Sequence, residues 1–199
     1  MTPESFHSLV DNKGAIIHII EDEDHNLFGA YSSVGIISTR GNGLNYADPN
    51  HFLFTLKNPY SLPPTQFKNK YPETSVTYVN VYGPSYGSHG DLTLRGHDGH
   101  FCESHCMNFP WSYEDPTGKG SAIFCGKDTF CVHNMEVFVV ALVACYSNLS
   151  EYVRTDVQYW IHSISSIMDP LHFFNTGSTP FQQTQHTLVT LEHLFFSGS

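Results

Sequence analysis

Residues 96–106, Gly-His-Asp-Gly-His-Phe-Cys-Glu-Ser-His-Cys, place His97, His100, Cys102, His105 and Cys106 within one short stretch. Imidazole and thiolate are the ligands zinc prefers. Structural zinc takes four of them in a tetrahedron, usually as two close pairs on separated segments. Cys102 and Cys106 make one local pair, with His105 beside them, and Cys125, Cys131 and His133 follow downstream. In a strand over 129–140, Cys131 and His133 would share a face because side chains alternate. Cys102, Cys106, Cys131 and His133 are therefore a conceivable ligand set. The paired C-x-x-C knuckles of a strong zinc sequence are missing, and thirteen histidines in the chain dilute the meaning of a local cluster. The other chemistry open to such a stretch is thiol redox or nucleophilic catalysis, which needs an activated thiolate beside a base. The bland alternative is an exposed loop decorated with Cys and His.

Other candidates are weaker. Gly83-Pro84-Ser85-Tyr86-Gly87 matches G-x-S-x-G by letter, but a nucleophile elbow needs a helix behind it. The following "SHGDLTL" reads as loop and strand. No H-E-x-x-H, P-loop, G-x-G-x-x-G or EF-hand pattern occurs. His186 and His193 have no carboxylate partner at a useful step. The acidic run Glu21 to Asp24 lacks the alternating spacing of a calcium loop and reads as a solvated hairpin tip.

The segments that must position these residues read as strands over the first 140 positions. "AIIHII" (15–20), "LFGAYSS" (27–33), "HFLFTL" (51–56), "SVTYVNVY" (75–82), "DLTL" (91–94), "SAIFC" (121–125) and "TFCVHNMEVFVV" (129–140) are strand-length runs. "GKD" (126–128) suits a tight hairpin between the last two. The intervening "RGNGLNYADPN", "NPYSLPP", "YGPSYGSHG" and "EDPTGKG" are loops by turn chemistry. Residues 141–199 carry only five charged side chains, and their period turns helical from Leu149 to Leu171. Ser150 would cap that helix and Asp169-Pro170 would end it. A second helix is expected over 182–196. The chain therefore divides into a β-rich unit at 1–140 and a low-charge tail at 141–199 with one or two helices, partial disorder of the tail being the open alternative. The expected class is α+β, mostly β: a two-layer antiparallel β-sandwich with flanking helices and a C-terminal helical tail.

Composition narrows the partners. The 199 residues carry a formal net charge of −10, with nineteen acids against nine scattered bases. Nucleic-acid backbones and anionic membrane surfaces need clustered Lys and Arg, so both are disfavoured. No signal peptide opens the chain, and the apolar run at 137–146 is too short to span a bilayer. An intracellular, cytoplasmic protein with free thiols is expected.

The order of these motifs is similar to the TLDc domain of oxidation-resistance proteins. Residues 6–33 resemble its core: Phe6, the turn Asp11 to Gly14, the strand Ile16 to Ile20, the acidic turn Asp22 to Asp24, and Phe28-Gly29-Ala30. "DPNHFLFTL" (48–56), "YGPSYGSHGDLTL" (82–94) and the closing segment 108–140, with Glu136-Val137-Phe138, continue the likeness. Three features depart from it, the first being that the tail after Val140 resembles no part of the family. Only five residues precede Phe6 where the family usually has helices, so the domain looks N-terminally truncated. "VGIISTRGNG" also stands where a tryptophan is usual. The resemblance implies a β-sandwich with flanking helices and a non-enzymatic protein-interaction module. It further implies a role in oxidative-stress protection and binding of the vacuolar proton ATPase. It implies no catalytic residue, no metal ligand and no cofactor. The alternatives are a metal-dependent or thiol-based redox enzyme using 97–106, and an inactive truncated fragment. Gly29, Gly83, Gly87 and Gly90 are expected at tight turns or close strand approaches. Phe28, Phe52, Phe54, Phe130 and Phe138 are expected in the core. Glu136 is either an internal polar anchor or a partner-facing contact.

Overall fold

The computed structural model describes residues 3–36, 44–74, 76–78, 83–96, 101–143 and 188–194. The chain enters through helix α1 (Pro3–Val10), whose Phe6 and Val10 are fully buried. Strands β1 (Ile16–Asp22) and β2 (Leu27–Ser32) form the first hairpin; β3 (Leu44–Tyr46), β4 (Phe52–Lys57) and β5 (Thr65–Lys68) follow. A 3-10 turn (Pro72–Thr74) leads to β6 (Val76–Tyr78), β7 (Ser85–Tyr86), β8 (Leu92–Thr93) and β9 (Ser104–His105). Helix α2 (Ala122–Cys125), β10 (Thr129–Phe130), β11 (Val132–Val143) and β12 (Leu188–Leu194) complete the described elements.

Two six-stranded sheets result, in the orders β12-β11-β1-β2-β4-β5 and β10-β9-β8-β7-β6-β3. Every strand pairing among the described residues is antiparallel. The fold is thus mostly β, as the strand-and-loop pattern of the sequence predicts. The main core draws Ile16, Ile20, Phe28, Leu53 and Val137 from the first sheet and Tyr86, Leu92 and Phe130 from the second. A second cluster, including Ile17, Ile19, Tyr31, Phe52, Phe54 and Phe138, lies on the opposite face of the first sheet. Both faces of β1 are therefore buried, which is why "AIIHII" is apolar on both sides, with His18 as its one polar residue, rather than alternating.

Three expectations are corrected. Residues 122–125 of "SAIFC" form a helical turn, not a strand. Ile123, Phe124 and Cys125 are all buried, and a strand would turn the middle one away from its neighbours. Gly126, at φ 78°, ends the turn in the left-handed region and donates its N–H to the Ala122 carbonyl at 2.8 Å. The hairpin placed at 126–128 is accordingly absent. In the tail, 188–194 is a strand on the edge of β11, in register from Val137↔Leu194 to Val143↔Leu188, not part of a second helix. The helix expected over 149–171 lies outside the described residues.

Candidate functional site

The stretch that stands out by its histidines and cysteines is divided between surface and core. His97 and His100 lie outside the described residues. Cys102 is exposed in the turn ahead of β9, and Cys106, just behind β9, is fully buried. The Cys106 thiol lies 3.9 Å from that of Cys125 and points at the Lys127 and Ser121 carbonyls at 3.3 and 3.4 Å. The adjacent Cys125 thiol and burial push the Cys106 thiol far up from its ordinary pKa. Cys131 faces outward instead, its sulfur 3.8 Å from the Cys102 carbonyl. His133 sits against His25 at the far hairpin. Cys102, Cys106, Cys131 and His133 are not brought together. His105 is half-buried, and desolvation lowers its pKa.

A buried thiol held protonated is a poor nucleophile. In native protein, iodoacetamide is expected to label Cys102 about 100-fold faster or more than Cys106, because Cys106 reacts only through opening of the core. Peptide mass mapping reads the rates, and equal labelling of the two would refute this burial.

The G-x-S-x-G turn is also structural. Ser85 Oγ lies 2.8 Å from Thr93 Oγ1 across β7 and β8. Strand β8, not a helix, follows. Gly87 sits at φ +85°, where a Cβ would collide with the Asp91 carboxylate. That carboxylate accepts the Ser112 N–H at 2.8 Å.

A set of buried polar residues joins the elements. His51 donates from Nδ1 to the Tyr31 carbonyl, and its Nε2 accepts the Tyr113 hydroxyl at 2.6 Å. The His51 ring stacks on Tyr86 at 5.3 Å, and the Tyr86 hydroxyl meets His18 Nδ1 at 3.2 Å. Burial lowers the His18 pKa to about 3 and the His51 pKa to about 4, the latter against the opposing pull of Asp48. Asp48 is itself fully buried. It accepts the hydroxyls of Ser32 and Ser33 and the N–H groups of Ser33 and Asn50. These carboxyl, phenol and imidazole groups are closed to solvent and bonded inside the protein, except that His18 Nε2 is buried without a hydrogen-bond partner. They hold strands in register and offer no surface to a substrate.

The acidic run is more structured than a solvated tip. Asp22 is fully buried, and its Oδ1 accepts the N–H groups of Asp24 and Asn26 at 3.0 and 2.8 Å, closing the β1–β2 turn. Desolvation raises its pKa against those bonds. Glu23 and Asp24 pair with Lys127 at 2.7 and 3.0 Å, and Glu23 also accepts the Cys131 N–H at 2.8 Å. Among the described residues, Glu21, His25 and His133 form the one group with three potential metal ligands.

A family model for the TLDc domain matches residues 1–141. The chain belongs to the TLDc family. No curated protein matches it. The matched span of the TLDc domain ends within β11, so β12 adds to that strand from beyond it. Glu136, opposite Ile19 in the TLDc sheet, is 8% exposed, so it is an internal position. Burial, and then the charge of Glu21, raises its pKa to about 7. No helix among the described residues of the TLDc domain is long and apolar enough to cross a membrane.

The sequence reading missed the His51–Tyr113 and Ser32–Asp48 bonds. Asp48-Pro49-Asn50 was readable as a turn, but nothing local shows that its carboxylate turns inward.

Proposed function

We propose that this TLDc domain is a non-enzymatic, cytoplasmic protein-interaction module that binds the vacuolar proton ATPase and contributes to protection from oxidative damage. One observation carries the reading. Of its ionisable groups, His51, Asp48, Tyr113 and Cys106 are buried in bonds that maintain the fold, while Trp111, Met107, Tyr71 and Tyr60 are exposed aromatic or apolar side chains. Trp111 and Tyr71 are 58% and 43% exposed on segments joined by the Lys70 ammonium to the Pro110 carbonyl, at 2.9 Å. Exposed aromatic groups of this kind anchor protein interfaces. An acidic chain of net charge −10 favours a partner with a basic face.

The test is affinity capture of ATPase subunits with the tagged full chain, under oxidising and reducing conditions. Association is expected, with recovery falling about ten-fold for Trp111→Ala at unchanged thermal stability. No association in either condition rejects the partner. Loss of peroxide protection in a folded Cys102→Ala chain would favour thiol chemistry instead.

A further inference from the structure

The junction of β1 and β11 assembles a different set of ligands from the one the sequence draws attention to. Pairing runs Glu21↔Asn134 and then Asp22↔Val132, so His133 is the extra residue of a β-bulge. A bulge re-aims the side chain it carries. Here the His133 ring stands 5.3 Å from that of His25, edge to face at 83°. His25 closes the β1–β2 turn at φ 60°, in the left-handed region, and its Nδ1 lies 2.7 Å from Glu21 Oε1. Glu21, His25 and His133 each present one ligand atom, and the three atoms lie within 4.8 Å of one another.

We infer that Glu21, His25 and His133 form a divalent transition-metal site, for which zinc(II) is the best match, with water completing the tetrahedron. The donor set decides the class of ion. Two imidazoles and one carboxylate suit zinc, copper or nickel, whereas calcium and magnesium take oxygen ligands throughout. Zinc sites that keep a water use three protein ligands of this type. At bond lengths near 2.0 Å, tetrahedral ligand atoms sit about 3.3 Å apart, within reach of small side-chain rotations from the observed cluster. The two strands and the turn are already held together by the sheet, so the ion has little to order. The His25 side chain is 60% exposed and leaves a path for the ion, while that of Glu21 is 14% exposed and anchored. The neighbouring acids do not compete, because Glu23 and Asp24 are engaged by Lys127.

The site is tested on chelator-treated full chain by zinc titration against a chromophoric chelator at neutral pH. One ion per chain with a Kd of about 1 µM is expected. His133→Ala, His25→Asn and Glu21→Gln should each weaken binding about ten-fold or more. Asparagine tolerates the left-handed turn at position 25, so that variant keeps the hairpin. The exposed His89→Ala is the control and should bind as the parent does. Cobalt(II) should give a tetrahedral absorption band that His133→Ala loses. Unfolding without metal, followed for each variant, separates a lost ligand from a lost fold. Parent-like zinc affinity in folded His133→Ala and His25→Asn would overturn the assignment, as would binding weaker than about 100 µM by the parent.

Discussion

Gly29→Ala is expected to leave the chain largely unfolded. Gly29 lies opposite Ile19 in the centre of the first sheet, where β1 is flanked by β2 and β11. A Cβ at this position would overlap the His18 carbonyl oxygen, and it would stand 2.9 Å from both the His18 carbonyl carbon and the Phe54 ring. A flexible side chain could swing away from such a contact; a backbone carbonyl inside a sheet moves only if the two strands part. Those strands carry Ile16, Ile20, Phe28 and Ala30 into the main core. Overpacking in a well-packed interior costs roughly 1–3 kcal/mol. Parting the strands also weakens ladder bonds and core contacts, so a loss above about 4 kcal/mol is expected, close to the whole stability of many domains. Gly118→Ala is the comparison: at φ +67°, with nothing within 4 Å of its Cβ, it should cost only about 1 kcal/mol. Urea unfolding followed by circular dichroism compares the two. A Gly29→Ala chain with the parent's midpoint would refute the close approach.

How far the sequence discloses this fold depends on how local each signal is. β1, β2 and β4 are bounded by turn residues and filled with β-branched or aromatic side chains, so each is readable from its own letters. Gly29 gains its meaning from an ordered family pattern around it, and the structure supplies the reason. In 121–125, the four consecutive apolar residues Ala122 to Cys125 look alike in a buried strand and in one buried helical turn. Gly126 was the local clue, since a glycine just past an apolar run suits a helix end. In 188–194, Leu188, Leu191 and Leu194 recur at three-residue steps and so mimic a helix. Val189 and Thr190 favour a strand, and the edge of β11 supplies a partner that no local pattern contains.

The candidate site shows the same division more sharply. Types and spacings make 96–106 conspicuous, yet the chain buries Cys106 just behind β9 and leaves Cys102 exposed in the turn ahead of it. The buried polar bonds link residues far apart in sequence: 16 positions for Ser32 and Asp48, 62 for His51 and Tyr113, and 68 for His18 and Tyr86. Such pairs have no short-range signature. The Glu21, His25 and His133 group was hidden for the same reason, since it depends on strand pairing and on a one-residue bulge.

Stability should fall with acidification below about pH 6.5, and Glu136 should oppose part of that fall. His18 and His51 titrate at about 3 and 4 in the folded chain against an ordinary 6.5. Between those values the unfolded chain binds the protons that the folded chain refuses, so each histidine removes about 1.4 kcal/mol per pH unit as pH drops. Glu136 has the opposite sign. Its folded pKa of about 7 lies above the ordinary 4.5, so the folded chain binds the extra proton. Its contribution is fully present below pH 4.5 and is lost as pH rises to 7. From pH 6.5 to 5 the parent should therefore lose on the order of 2 kcal/mol, and Glu136→Gln, which removes the opposing proton, on the order of 4 kcal/mol. Above pH 7 the variant should be the more stable of the two, by up to about 3 kcal/mol, because it has no desolvated charge to hold. Urea midpoints measured from pH 5 to 8 give both curves. Parallel curves would mean that Glu136 is ionised in the folded chain throughout this range, and that its burial beside Glu21 does not hold the proton.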